Sequence, residues 1–169
     1  MKTRFFAVAL FIATTASAQS QLASLAGFLG TWKCTGTTFA TDMGPEHPTT
    51  ASVTVRPSME GKWLEVIYAE NKTAKNPMPF AVVNHWGWDE GQKKLVSVSV
   101  DNMGGYAIAT SSGLNDKQLI FEGPSHMGPM TMNGRDVFTR SGDNQLSHAF
   151  FVADNAGGWK KIDEETCKK

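Results

Sequence analysis

The chain has 169 residues, 41% of them hydrophobic and 19% charged, with 16 basic side chains against 16 acidic ones. That suits one ordinary folded domain. Lys and Arg form no basic block, which argues against a nucleic-acid partner, because phosphate neutralisation needs clustered cations. The composition is not that of a disordered, collagen-like, coiled-coil or many-pass membrane protein.

The N-terminus reads as a secretory signal peptide over residues 1–18. Lys2 and Arg4 give a positive start, Phe5 to Ala13 an apolar run, and Ala16-Ser17-Ala18 an A-x-A cleavage site. A membrane anchor would need about 20 apolar residues, and polar Thr14, Thr15, Ser17, Gln19, Ser20 and Gln21 intervene too soon. Gln19, not Cys, stands directly after the cleavage site, so no lipid anchor is expected. Removing 18 of 169 residues leaves a mature chain of 151, residues 19–169, whose 14 bases and 16 acids give a net charge near −2. Its expected location is the periplasm or the extracellular space.

Cysteine usage agrees with export. Cys34 and Cys167 are the only two, 133 positions apart, and an even count in an exported chain favours a disulfide over two unrelated buried thiols. Such a bond requires Cα atoms about 5 to 6 Å apart. The first and last strands must then be neighbours, as in a closed barrel.

Only Gln21 to Leu29 has a helical period, with Leu22, Leu25, Ala26 and Leu29 at offsets of three, four and seven. The rest alternates strand-like runs with turn residues. The expected strands are Thr31 to Phe39, Ala51 to Met59, Lys62 to Glu70, Phe80 to Asp89, Lys94 to Asp101, Tyr106 to Ser111, Gln118 to Glu122, Gly134 to Arg140, Leu146 to Ala153 and Trp159 to Ile162. Glu60-Gly61, Met103-Gly104-Gly105, Asn115-Asp116 and Gly142-Asp143-Asn144 are among the turns between them. No room is left for crossover helices. Consecutive strands are therefore antiparallel neighbours, giving an all-β, up-and-down sheet of eight to ten strands with a short N-terminal helix.

Alternation assigns faces. Leu64, Val66 and Tyr68 oppose Glu65 and Ile67, and Val96, Val98 and Val100 oppose Ser97, Ser99 and Asp101. A twisted sheet that is apolar on one face buries that face by closing into a barrel, which also removes its edges. The valines are thus expected inside. At about eight strands the interior holds packed side chains or one small ligand.

The helical turn followed by Gly30-Thr31-Trp32 resembles the G-x-W signature that opens lipocalin-like barrels, in which the Trp plugs the closed end. Trp86-Gly87-Trp88-Asp89, Asp101-Asn102-Met103-Gly104-Gly105, Leu119-Ile120-Phe121-Glu122-Gly123 and Arg135-Asp136-Val137-Phe138-Thr139-Arg140 resemble exported bacterial lipocalin-like (calycin-type) domains of unknown function. The likeness spans roughly Leu22 to Lys161. It implies a single barrel and carries over no catalytic residue. Lipocalins place an Arg across the Trp, so Arg140, or else Arg135, is the expected substitute beside Gly30 and Trp32.

For function, the reading is a barrel that binds a small apolar or amphipathic molecule, lined by Tyr68, Trp86, Trp88, Tyr106, Phe121, Phe138, His148 and Phe150. Trp63 belongs to the same aromatic set. Nitrobindin-like barrels, also similar, use one axial His for haem, and His148 shares the parity of Leu146, Phe150 and Val152; a hydrogen-bonded core histidine is the competing role. His85 is ambiguous in the same way. Two Pro/Gly loops, Met43 to Pro48 and His126 to Met132, carry soft ligands suited to copper(I). His126, Met127 and Met130, with Met132 and His47, are the candidate metal set; plain loop packing is the alternative. G-x-S-x-G, H-E-x-x-H, C-x-x-C and phosphate-loop motifs are absent. Asp163-Glu164-Glu165 reads as a solvated terminal tail. An enzyme of unidentified reaction class is the remaining alternative, with no catalytic residue to name.

Overall fold

Short alternating segments separated by turns leave the backbone one way to satisfy its polar groups, which is pairing with the segment before and the segment after. A computed structural model describes residues 21–42, 44–154 and 156–169. The leader expected at 1–18 lies outside the described residues. The strands are β1 (Gly30–Thr38), β2 (His47–Ser58), β3 (Trp63–Glu70), β4 (Ala81–Asp89), β5 (Lys94–Asp101), β6 (Tyr106–Ser111), β7 (Leu114–Asn115), β8 (Gln118–Met127), β9 (Met130–Arg140), β10 (Gln145–Ala153) and β11 (Trp159–Lys168). All pairings are antiparallel, β1 meets β11, and β6 meets β8, so ten strands close into a barrel with the two-residue β7 as a side ladder on β8. Among the described residues no helix is long and apolar enough to cross a membrane.

The expected helix is shorter than its apolar spacing implied. Residues 21–23 are helical and Ala26–Phe28 is a 3₁₀ turn. Three residues per turn stack Leu22, Leu25 and Phe28 on one side, and all three are buried. They plug one end of the barrel, called here the closed end. Trp32 follows in β1, is fully buried, and donates its indole N–H to the Phe28 carbonyl at 2.8 Å. The cation over the Trp32 ring is Lys169, whose Nζ stands 4.5 Å from the ring centroid. Gly30 admits it: φ is +115° there, and an added Cβ would sit 3.2 Å from the Lys169 side chain. Arg140, expected in that role, instead lays its guanidinium where a side chain on Gly27 would be, and bonds Asp143 at 3.3 Å.

Trp86, Phe121 and Phe138 fill the barrel above the plug. Trp86 lies 6.0 Å from Phe28, 5.3 Å from Phe121 and 5.1 Å from Phe138, centroid to centroid, with edge or tilted geometry. Cys34 and Cys167 face each other directly across β1 and β11 in a disulfide with Cα atoms 4.0 Å apart. The neighbouring first and last strands that the bond demands are present.

One face assignment is reversed. In β3, Leu64 and Val66 point inward and are buried as expected, but in β5 it is Leu95 and Ser97 that are buried, while Val98 is exposed and Val100 is 58% exposed. The reason is size. Ser97 pairs with Trp86 and Ser99 with Asn84, so a small inward residue lies beside the bulky indole and the valines are left outside.

The seam between β6 and β8 depends on Gly123. An added Cβ there would lie 2.3 Å from the Ile108 carbonyl oxygen and 2.7 Å from the Ala109 Cα, both backbone atoms. Gly123→Ala is expected to pry the seam apart and cost about 1–3 kcal/mol, the usual range for overpacking. A thermal melt reads this directly, and an unchanged midpoint would mean that the seam relaxes freely.

Candidate functional site

Away from the closed end, the inward positions change character. Alternation carries Thr49 of β2, Tyr68 and Glu70 of β3, Asp136 of β9, His148 of β10, and Asp163 and Glu165 of β11 into the interior, above the aromatic floor and toward the end bearing loops 39–46, 71–80, 102–105, 128–129 and 154–158. Water reaches them. The side chains of His148, Asp163 and Asp136 remain 18%, 29% and 39% exposed although they point inward. A groove of about 390 Å³ lies on the outer face of the β1, β11 and β10 wall, where Thr35, Thr37, Ser147, Ala149, Lys161 and Glu164 line it, so it is separate from this interior group.

His148 stacks on Phe138 with centroids 4.6 Å apart. Its Nε2 lies 3.0 Å from Asp136 Oδ1 and its Nδ1 3.7 Å from Asp163 Oδ1. Tyr68 donates to Glu165 Oε1 at 2.7 Å, and Glu70 Oε1 stands 3.3 Å from the same hydroxyl. Glu70 Oε2 accepts Asn76 Nδ2 at 2.6 Å and the Phe80 N–H at 2.7 Å, which ties loop 71–80 to the wall.

Burial opposes the His148 imidazolium, but the Asp136 hydrogen bond and the charges of Asp163 and Asp136 outweigh it and push its pKa up to about 9. Burial raises Asp163 to about 7, with His148 partly offsetting it. Glu165 is raised, chiefly by burial, against the Tyr68 hydrogen bond. Tyr68 stays protonated far above the ordinary phenol range, through burial and then the charge of Glu165. In each case folding favours the protonated form. The stability contributed by Asp163 is therefore complete below its ordinary 3.8 and is lost toward pH 7, and that from His148 is complete below 6.5 and is lost toward pH 9. The unfolding midpoint is expected to fall as pH rises from 6.5 to 9, and His148→Gln should flatten that stretch. A midpoint that rises across this window would contradict the arrangement.

The residues expected to line a ligand site divide. Tyr68, Phe138 and His148 stand in the polar half, and the Phe150 ring lies where a side chain on Gly134 would be. Trp86 and Phe121 are buried in the floor. Trp88 sits near the closed end, bonded to Glu90. Tyr106 is on the outer face, half exposed and stacked on His126 with centroids 4.5 Å apart. Trp63 is also outside, its ring against Gly87. His85 pairs with Glu65 of β3 on the outer side.

The copper-type stretch is not a loop. His126 and Met127 end β8, Met130 and Met132 begin β9, and Gly128-Pro129 is the turn, so Met127 and Met130 are opposite each other in a hairpin. His126 Nδ1 lies 3.0 Å from Thr131 Oγ1, and His47, at the start of β2, lies 3.1 Å from the Pro45 carbonyl. The β8–β9 hairpin and the start of β2 both belong to the far end of the barrel. Both nitrogens of His148 are turned to carboxylates, so the donor set as arranged does not fit an axial haem ligand. The group of metal-capable side chains found among the described residues is Cys34, Glu165 and Cys167, with atoms within 4.8 Å of one another. Its two sulfurs are spent in the disulfide.

Glu165, Asp163, Asp136, Glu70 and Thr49 were not among the expected site residues. A signal for two of them was present. Cys167 had to face inward for a bond to Cys34, and residues 165 and 163 share its parity once the last strand runs to its end.

A family model described as "Protein of unknown function (DUF1579)" matches residues 17–169. The chain belongs to the DUF1579 family. No curated protein matches it. Among solved structures, the DUF1579 barrel is similar to the crystal structure of Rv2717c from M. tuberculosis, with a TM-score of 0.64 and 11% identity over 88% of this chain and 96% of that one. A redesigned beta barrel, mFAP1, bound to DFHBI, matches at a TM-score of 0.40 and 13% identity, over 88% and 98% of the two chains. At such identities the likeness to Rv2717c shows the DUF1579 fold alone, and its chemistry has to be argued from the side chains.

Proposed function

We propose that this DUF1579 protein is an exported binding barrel that takes one small amphipathic molecule in its far half. The observation that carries this reading is the water-accessible inward wall of His148, Asp163 and Asp136 above a floor closed by Trp86 and Phe121. Binding sites combine apolar lining with a few convergent polar groups, and here Tyr68, Phe80, Phe138 and Phe150 supply the former. The filled floor excludes a long apolar chain running the length of the barrel. The leader pattern and the Cys34–Cys167 bond support export.

The test is an NMR titration of the mature, disulfide-intact protein with short-chain amphiphiles. Tyr68, Phe80, Phe138 and His148 are expected to shift while Trp32 does not. Shifts confined to the outer pair Tyr106 and His126, or none at all, would overturn the reading.

A further inference from the structure

Two carboxylates in the far half compete for one proton. Tyr68 Oη lies within reach of both Glu165 Oε1 and Glu70 Oε1, and a hydroxyl has a single hydrogen to give. Glu70 is otherwise satisfied through its second oxygen by Asn76 and Phe80. Glu165 is not. The residue is 5% exposed, its Oε1 also takes the Thr49 hydroxyl at a long 3.5 Å, and its Oε2 is buried without a hydrogen-bond partner. Native interiors rarely leave such an atom unmatched, because the loss is about 1–3 kcal/mol and greater for a charged group. The other charges on the wall do not supply the missing donor. Asp136 and Asp163 are acids, and the imidazole of His148 is already turned to them. Lys161, on the outer face of the same wall, is held by Glu164 at 2.6 Å.

We infer that the polar group of the ligand is a cation rich in N–H donors, a protonated amine, seated between Glu70 and Glu165 with its apolar body against the rings of Tyr68 and Phe80. This rests on the far half being the ligand site. An ammonium carries three donors, enough for Glu165 Oε2 and Glu70 Oε1 together, whereas an alcohol carries one. A carboxylate brings no N–H donor to Glu165 Oε2 and would join a wall already made of acids. Tyr68 and Phe80, with centroids 6.3 Å apart, form the apolar wall beside the two acids. A cation on these carboxylates gains charge-assisted hydrogen bonds of about twice the ordinary strength.

Hexylamine, hexan-1-ol and hexanoate, which share one chain and differ in head group, test this by calorimetry at neutral pH on the mature protein. Hexylammonium is expected to bind about tenfold or more tighter than hexanol, a difference of about 1.4 kcal/mol, with hexanoate weakest. Glu165→Gln, which keeps the shape, should erase the advantage of the amine over hexanol. The ranking in the unmutated protein decides the matter even if that variant folds poorly. Hexanol binding as tightly as hexylammonium, or an amine advantage that survives in a folded Glu165→Gln, would overturn the inference while leaving the ligand site standing. Failure of all three to bind would overturn the site itself.

Discussion

Replacing both cysteines, Cys34→Ser with Cys167→Ser, is expected to destabilise the protein by about 2–5 kcal/mol, the range for loss of a native disulfide. The bond spans 133 positions, and in the chain-entropy model a loop that long contributes about 4 to 5 kcal/mol by restricting the unfolded chain. The folded state adds a second reason. Cys34 and Cys167 are buried partners in the β1–β11 ladder that closes the barrel, and a Glu165 carboxylate oxygen lies within 4.8 Å of the sulfurs. Without the bond, two hydroxyls must be accommodated at the closure point beside that carboxylate. Urea unfolding of the oxidised protein and the double variant measures the effect. At roughly 2–4 °C per kcal/mol for a chain of this size, the thermal midpoint should fall by about 5 °C or more. Equal midpoints would show that β1 and β11 hold without the cross-link.

Trp86→Ala is expected to cost about 3–5 kcal/mol, the range for deleting a buried large aromatic. Trp86 contacts Phe28 from the plug, Phe121 from β8 and Phe138 from β9, and is buried at the centre of the floor. Its loss removes the one ring that all three share. Trp86→Phe should cost clearly less, because it keeps an aromatic face toward Phe121 and leaves a smaller void. Thermal melts of the two variants, at a pH below 6.5 where the His148 contribution is complete, give the ordering. If Trp86→Ala and Trp86→Phe destabilised equally, the ring contacts would not be what holds the floor.

Much of the architecture was legible because turn residues and period-2 runs are local signals. β5 and β6 begin and end where Lys94, Asp101, Tyr106 and Ser111 place them. The barrel closure was legible through the two cysteines, which carry long-range information that composition lacks. The orientation of β5 was not. Alternation separates Val96, Val98 and Val100 from Ser97 and Ser99, but which set faces inward depends on what stands across the ladder, and that is Trp86. The same limit placed Tyr106 inside, when its partner across the closing seam, His126, holds it outside.

The polar half of the site was missed for a related reason. Asp163-Glu164-Glu165 has the composition of a tail, and Ile162 looked like the end of the last strand. In the fold β11 continues to Lys168, a bulge between Phe150 and Phe151 of β10 absorbs the register change, and alternate acids of the apparent tail become interior groups. His148 was legible as inward-facing, but its partners Asp136 and Asp163 sit 12 and 15 positions away and meet it only through the β9–β10 and β10–β11 ladders. The cation on Trp32 was expected from an Arg and comes from Lys169, the last residue of the chain.

A high-resolution crystal structure of the protein purified from the cells that make it is the most direct test of a ligand site in the far half. It is expected to hold a bound molecule or ordered water there, in contact with Glu165 Oε2 and bordered by Tyr68, Asp136 and His148. An interior in which Tyr68, Phe80, Phe138 and Phe150 close on one another, leaving no space between those side chains, would contradict it.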